Sequence, residues 1–181
     1  QDVTSGCVSD NTVTVYEDYS VPTVNIAPGP YTLTCSQPSL TLTGSSPTGI
    51  NPVWNSDNGG NIIAGSNTFT PTVNATGTYR LTVEDSNTGC LSSTTVDVTS
   101  NTSLPDITTD PYPDQLTCAV TQVTLSGQPV DPTHTYTWSA GPGNFVSGQA
   151  SYNPVVDKPG TYIIEVTDPI TGCSASSAIN V

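Results

Sequence analysis

Five cysteines are the residues of this sequence whose type and spacing could do chemistry: Cys7, Cys35, Cys90, Cys118 and Cys173. Cysteines serve as metal ligands, as nucleophiles or as halves of disulfides, and their spacing helps to separate these roles. No Cys-x-x-Cys pair occurs and the chain has one histidine, which disfavours a zinc site. The first, third and fifth cysteines are instead evenly spaced, and the second and fourth are separated by the same interval. This regularity indicates a disulfide framework.

A sequence repeat with the same interval extends beyond the cysteines. The tripeptide Gly-Thr-Tyr at 77–79 recurs at 160–162, and Trp54 recurs, one position out of step, as Trp138. Self-similarity at a fixed period is the signature of a repeated structural unit, and a period of roughly 80 residues is the size of one small domain. The sequence therefore predicts three units: residues 1–20, the last strand of a truncated preceding repeat plus a linker; residues 21–103, a full repeat; and residues 104–181, a second full repeat.

Each full repeat contains two cysteines, which suggests how they pair. We predict the disulfides Cys35–Cys90 and Cys118–Cys173, which close loops of equal length in the two repeats. Bonds of this kind stabilise small domains that have a thin core. Cys7 is then left over, and its partner would lie in the missing repeat or in another molecule.

A second pattern of disulfide bonds is compatible with the same spacing. Cys7 with Cys35, and Cys90 with Cys118, are also separated by equal intervals, which are shorter than those of the first pairing. These bonds would staple consecutive domains together and leave Cys173 free. Either framework requires an oxidising compartment, because cytosolic thiols are kept reduced. We therefore expect the chain to be extracellular or at a cell surface.

Short strands must position these cysteines, because apolar and polar residues alternate and no stretch has a helical period. Apolar residues at 79, 81 and 83 recur at 162, 164 and 166, with polar residues between most of them. Roughly six to seven such strands per repeat fit an immunoglobulin-like (Ig-like) or polycystic-kidney-disease-like sandwich. The predicted fold class is all-β, with tandem antiparallel β-sandwich domains and one intradomain disulfide each. Trp54, Trp138, Tyr79 and Tyr162 are predicted core residues.

Charge restricts the partners. Lys and Arg total 2 and the formal net charge is −13, which argues against binding to nucleic acid or to an anionic membrane. The sequence contains neither a signal peptide nor an apolar run long enough to cross a bilayer, so no membrane insertion is expected. The chain opens at Gln1 without Met, and we interpret it as a processed or excised fragment.

Catalytic and metal sites are weakly indicated. His134 is the one histidine and has Asp131 nearby, but its counterpart in the first repeat is not a histidine, so no enzyme activity is expected. Acidic residues that gather at the predicted junctions could hold calcium, although the set is not repeated. These residues are Glu17, Asp18, Asp106, Asp110 and Asp114. No other cofactor is expected.

Several motifs occur in order along the first full repeat and again in the second. They are Leu33-Thr34-Cys35, Leu40-Thr41-Leu42, Trp54, residues 77–85 and Thr88-Gly89-Cys90, with a second copy from Leu116-Thr117-Cys118 to Thr171-Gly172-Cys173. Together these motifs resemble the Ig-like repeats of very large secreted surface proteins of Bacteroidota. The resemblance covers nearly the whole chain and implies bacterial adhesins, gliding-associated proteins and surface fibres, exported to the cell surface.

The expected function is a structural repeat segment of an extracellular surface fibre or adhesin stalk. Self-association or neighbouring repeats would be its partners, and the linkers at 21–30 and 104–113 are stiffened by proline. Polymerisation by strand exchange is a variant, because the last strand occurs three times, at 8–15, 91–98 and 174–181. The alternative is an adhesin module that binds glycan or protein through the loops at 58–66 or 141–148.

Overall fold

A computed structural model describes residues 4–5, 11–110, 115–128 and 131–181 of the chain. All regular secondary structure in this part is β-strand. The strands, in chain order, are β1 Asn25–Ile26, β2 Thr32–Thr34, β3 Leu40–Thr41, β4 Gly44–Ser45, β5 Gly49–Asp57, β6 Ile62–Ala64, β7 Thr72–Val73, β8 Gly77–Asp85, β9 Leu91–Asn101, β10 Thr108–Thr109, β11 Val123–Thr124, β12 Gly127–Gln128, β13 Thr135–Ala140, β14 Phe145–Ser147, β15 Val155–Val156, β16 Thr161–Thr167 and β17 Ser174–Asn180.

Strands β1 to β9 form a first sandwich. One of its sheets has the order β2-β9-β8-β5, and the other face consists of β3-β7-β6 with the pair β1-β4 beside it. All pairs are antiparallel except β2 with β9, which run parallel. Two sheets that divide the strands in this way have the arrangement of the Ig fold. The parallel strand β2 lies at the edge of the sheet, next to the last strand.

Strands β10 to β17 form a second sandwich with the same arrangement. Its sheets have the orders β13-β16-β17 and β11-β15-β14, with β10-β12 beside the latter. Residues 115–117, which the repeat aligns with β2, form no strand. The predicted fold class, an all-β chain with Ig-like sandwiches, is confirmed; the domain boundaries at 20/21 and 103/104 stay predictions.

Each sandwich has its own core, which follows from the alternation in sequence. Tyr79, Leu81 and Val83 on β8 are fully buried, while the side chains between them point outward. The other sheet adds Leu42 and Val73, and the second sandwich repeats the arrangement. Burial contributes about 1.5–3 kcal/mol for each large aliphatic side chain.

The two tryptophans lie in these cores. Trp54 on β5 is 3 % exposed and Trp138 on β13 is 1 % exposed. Each indole N–H donates to a backbone carbonyl across the sandwich, at Thr68 (3.0 Å) and at Ser151 (2.8 Å). A buried tryptophan needs such an acceptor, because an unpaired N–H in a core is costly.

Tyr79 and Tyr162 each tie a loop to the core. The Tyr79 hydroxyl donates to the Ala75 carbonyl at 2.7 Å and accepts the Asn61 N–H at 2.9 Å. The Tyr162 hydroxyl donates to the Lys158 carbonyl at 2.6 Å in the same way. A tyrosine near the start of this strand that bonds back to the preceding backbone is a hallmark of Ig-like sandwiches.

Residues 11–20 form no strand, although the repeat aligns them with the end of β9. Val13, Val15 and Tyr16 are more than four-fifths exposed, whereas Val98, which aligns with Val15, is 3 % exposed. A segment with no neighbouring strand lacks hydrogen-bond partners for its backbone and does not form a stable β-strand. Residues 8–10 of the expected strand, and Cys7, lie outside the described residues.

Replacing Tyr79 with Phe should lower the free energy of unfolding by about 1–3 kcal/mol, because the partly buried backbone groups of Ala75 and Asn61 lose their partner. Tyr162→Phe should weaken the second sandwich similarly. Urea denaturation followed by tryptophan fluorescence measures both. The control is Tyr16→Phe at an exposed position, where the expected change is within about 0.5 kcal/mol. A Tyr79→Phe variant as stable as this control would contradict the proposed bond.

Candidate functional site

The disulfide of this structure joins the two sandwiches. Cys35 is bonded to Cys173, with their Cα atoms 5.0 Å apart and a sequence separation of 138. Cys90 and Cys118 are free. The predicted intradomain pairs, Cys35–Cys90 and Cys118–Cys173, are therefore wrong. The alternative pairs, Cys7–Cys35 and Cys90–Cys118, are excluded by the same bond and the same free thiols.

The parallel pairing of β2 with β9 explains why the intradomain bond is not formed. Thr34 lies opposite Asn101, so Cys35 lies at the end of β9. Cys90 immediately precedes the start of this 11-residue strand. At about 3.3 Å per residue the two cysteines are about 35 Å apart. A disulfide requires Cα atoms within about 7 Å.

Hydrogen bonds flank the disulfide and close the junction. The Ser36 N–H donates to the Thr171 carbonyl at 2.9 Å, and the Ser36 hydroxyl donates to the same oxygen at 3.1 Å. The Cys173 sulfur lies 4.0 Å from the Asn101 carbonyl oxygen. Thr171 is 2 % exposed and Cys173 is fully buried. The first sandwich therefore covers the turn that precedes β17.

A carboxylate holds this turn in shape. Asp168 accepts the Thr171 hydroxyl at 2.7 Å and the Ile170 N–H at 2.8 Å. The Gly172 N–H donates to the Asp168 carbonyl, and the Asp168 N–H donates to the Cys173 carbonyl. The Thr171 hydroxyl, and then the Ile170 N–H, hold the pKa of Asp168 below its usual value of 3.8.

The first sandwich contains the same turn before β9. Asp85 accepts the N–H groups of Asn87 at 2.9 Å and Thr88 at 3.0 Å, which hold its pKa below 3.8. The Cys90 N–H donates to the Thr88 hydroxyl at 3.3 Å, as the Cys173 N–H does to the Thr171 hydroxyl. Here the Thr88 hydroxyl bonds to Ser20, and both Thr88 and Cys90 are half-buried.

His134 and Asp131 lie beside the junction turn, because Thr135 on β13 pairs with Thr167, which precedes Asp168. His134 Nδ1 is 4.0 Å from Asp131 Oδ2, and Asp131 also accepts the Thr133 hydroxyl and N–H, which hold its pKa below 3.8. The described residues contain no cluster of three or more His, Cys, Asp or Glu that could hold a metal. Asp114 lies outside the described residues.

The loops at 58–66 and 141–148 contain β6 and β14, so part of each loop is strand. Their backbones are tied to the core, because the Asn61 and Asn144 N–H groups donate to the Tyr79 and Tyr162 hydroxyls. Phe145 packs edge-to-face on Tyr162, with ring centroids 5.2 Å apart. The one aromatic side chain of the second loop therefore faces the core.

No family model matches the sequence, and no curated protein matches it. Among solved structures, the chain is similar to the titin domains Z1Z2 in complex with telethonin, with 12% identity, 88% of this chain and 94% of that chain covered and a TM-score of 0.36. It is also similar to the human desmocollin-1 ectodomain, with 12% identity, 83% of this chain and 33% of that chain covered and a TM-score of 0.31. A third similar structure is Drosophila N-cadherin EC1-4, with 13% identity, 88% of this chain and 50% of that chain covered and a TM-score of 0.29.

The chain thus spans about a third of the desmocollin chain and half of the cadherin chain. Structural similarity at these TM-scores does not indicate a function. The strand order of the two sandwiches is what defines the Ig-like fold. No helix in the described part of the chain has the length and hydropathy of a membrane span. The fold and the junction together define an Ig-like protein whose two sandwiches are joined by a disulfide.

Gly172→Ala should destabilise the junction, because a Cβ there would lie 2.5 Å from the Ser36 Cβ. Gly89→Ala is the matched control, since Gly89 has nearly the same φ (+73° against +68°) but meets nothing closer than 3.9 Å. Both variants carry the cost of a positive φ, so their difference reports the contact. We expect Gly172→Ala to lose about 1–3 kcal/mol more than Gly89→Ala in urea denaturation. Equal losses would show that the junction is not closed in solution.

The carboxylate turns should make stability depend on acid pH. The folded-state pKa values of Asp85 and Asp168 lie below 3.8, so their stabilising contribution is present above that pH and is lost as pH falls through the folded pKa. Asp168→Asn should therefore be less stable than the parent at pH 7, with a difference that shrinks below about pH 4. Urea denaturation across this range measures it. The control is Asp106→Asn at an exposed position, where the expected change in stability at pH 7 is within about 0.5 kcal/mol.

Proposed function

We propose that this chain is a segment of an extracellular fibre or adhesin stalk, built from Ig-like domains joined end to end. The observation that carries the proposal is the Cys35–Cys173 bond, which connects one sandwich to the next rather than closing either one. A bond in this place does little for the packing inside a sandwich. It restricts how the two sandwiches bend against each other, and a stalk requires that stiffness.

The linker before each sandwich supports the same function. Pro22 and Pro105 occupy equivalent positions of the repeat, and both are buried. Proline has a fixed φ and no N–H, which limits bending and stray pairing. A backbone connection with a buried proline, together with the disulfide and the Ser36 hydrogen bonds, holds the junction at several separate points.

Composition supports an extracellular location at a bacterial surface. A disulfide persists in an oxidising environment, and a net charge of −13 keeps long acidic chains soluble and apart. The resemblance to Ig-like repeats of Bacteroidota surface proteins supports the same place. The partners of this chain are then further domains of the same kind.

Residues 11–20 support growth by strand addition. Val13 and Val15 are 86 % and 82 % exposed, whereas the equivalent residues of β9 pack against the first core. We infer that this segment is the last strand of a preceding sandwich, supplied within one longer chain or from a neighbouring copy. Its apolar side chains would then be buried as Val98 is, and its backbone would find partners.

Small-angle X-ray scattering of residues 1–181 tests the stalk. The parent should show one narrow distribution of distances between the sandwiches. Cys35→Ser/Cys173→Ser should broaden it, because residues 102–107 are then the one covalent connection and the Ser36 hydrogen bonds alone oppose bending. Both chains should keep the same near-ultraviolet circular dichroism, which reports intact cores. Cys90→Ser/Cys118→Ser removes two free thiols and is the control that should leave the distribution unchanged.

A parent chain as flexible as the Cys35→Ser/Cys173→Ser variant would argue against a stalk. Glycan-array binding by the monomer, abolished by changes at 58–66 or 141–148, would favour the binding module instead. Electron microscopy of longer arrays should show a regular axial repeat of one sandwich.

A further inference from the structure

Two free cysteines occupy the positions that form the disulfide elsewhere in the chain. By the sequence repeat, Cys90 is equivalent to Cys173, and Cys118 is equivalent to Cys35. We propose that Cys118 of one copy of this chain forms a disulfide with Cys90 of a second copy, which joins the copies head to tail. The proposal deepens the stalk function and rests on it.

The Cys90 half of the site has the geometry of the bonded half. The Gly89 N–H donates to the Asp85 carbonyl at 3.0 Å, and the Asp85 N–H donates to the Cys90 carbonyl at 2.8 Å. The corresponding bonds around Asp168 and Cys173 measure 2.8 Å and 2.9 Å. The turn that presents the sulfur is therefore already formed at Cys90.

The turn at Cys118 also has the hydrogen bonds of its bonded equivalent, although residues 115–117 form no strand. The Thr117 N–H donates to the Val120 carbonyl at 2.7 Å, and the Val120 N–H donates to the Thr117 hydroxyl at 2.9 Å. Thr34 makes the same two bonds with Gln37, at 3.0 Å and 3.1 Å. Ala119 stands where Ser36 stands at the junction. It lacks the hydroxyl, and its backbone N–H, which donates to the Thr117 hydroxyl at 3.2 Å, would have to turn to the partner to copy the Ser36 bond.

Burial shows what a neighbouring sandwich would cover. Thr171 and Cys173 are 2 % and 0 % exposed at the junction, while Thr88 and Cys90 are half-buried. The partner that fits Cys90 is therefore a Leu-Thr-Cys segment such as 116–118, and the partner that fits Cys118 is a Thr-Gly-Cys turn such as 88–90.

A second copy supplies both partners, and the geometry prevents one copy from supplying both to itself. Cys90 lies at the start of β9, about 35 Å from the junction at the other end of that strand. Cys118 lies beyond the junction, in the second sandwich, where Leu116 packs against the core together with Val181. Two different patches that bind each other give a heterologous contact, and repeating it produces an open fibre.

Formation of the bond needs an oxidant, which a small-molecule disulfide such as oxidised glutathione supplies. The Cys118 thiolate attacks the glutathione disulfide and releases one glutathione; the Cys90 thiolate then attacks the mixed disulfide and releases the second. The two thiols lose two protons and two electrons, and one glutathione disulfide becomes two thiols. Cys118 is exposed, so it is open to the first attack.

The test uses residues 1–181 with Cys7→Ser, which removes the fifth thiol. In a buffer of reduced and oxidised glutathione this parent should form a ladder of covalent oligomers on non-reducing gels. Cys90→Ser alone and Cys118→Ser alone should stay monomeric. An equimolar mixture of these two variants should give a dimer and nothing larger, because each supplies one half of the site. Peptide mass spectrometry of a ¹⁴N/¹⁵N mixture should find Cys118 joined to Cys90 across the isotopes, with Cys35–Cys173 retained.

A variant with a displaced thiol tests whether covalent oligomers form because of the geometry at Cys118 or because any exposed thiol reacts. Cys118→Ser/Val120→Cys keeps a thiol on the same exposed segment, two positions further along, and it should not form the ladder. Equal ladders from this variant, a dimer from either single variant alone, a bond between Cys90 and Cys118 of one copy, or no dimer from the mixture would each overturn the proposal. The stalk function fails separately, in the scattering comparison of the parent with Cys35→Ser/Cys173→Ser.

Discussion

The parallel pairing of β2 with β9 is the constraint on which the arrangement of this molecule depends. It runs from Thr32 opposite Thr99 to Thr34 opposite Asn101. Because the two strands run in the same direction, the chain reaches Cys35 at the end of the sandwich that faces its neighbour. Reversing β2 in place would move Cys35 by only a few positions along β9 and would still leave it far from Cys90, which precedes the start of that strand. The pairing of β2 with the last three residues of β9 thus favours a bond between sandwiches over a bond within one.

The turns before β9 and β17 then determine what that cysteine meets. Asp85 and Asp168 each bind backbone or hydroxyl donors of the following residues, so the carboxylate replaces missing backbone partners in a tight turn. Gly172 has a positive φ and lies against Ser36, where no side chain would fit. The turn therefore presents Cys173 at a fixed position and lets the neighbouring backbone approach it. Gly89 occupies the same position in the first sandwich, where a Cβ would meet no atom closer than 3.9 Å.

Much of the fold could be predicted from the sequence. Alternation at 79–83 and 162–166 identified buried strands, and Trp54 and Trp138 lie in the cores where that pattern put them. The period also identified which cysteines are equivalent. It could not identify which of them pair, because disulfides within each repeat and disulfides between successive repeats are both compatible with the same regular spacing. The deciding strand, β2, is too short for its alternation to indicate where along β9 it pairs.

A bond between neighbouring sandwiches has mechanical consequences that a bond within one does not. The Cys35–Cys173 bond joins the first cysteine of one full repeat to the second cysteine of the next, with a sequence separation of 138. Such a bond can recur at every junction, because each sandwich offers one cysteine toward each neighbour. Every junction then has two covalent connections, the backbone and the disulfide, at separate points. Two rigid bodies held at two points can rotate only about the line that joins them, whereas a single linker allows bending in every direction. An array built on this rule resists bending at its junctions without larger cores in its domains.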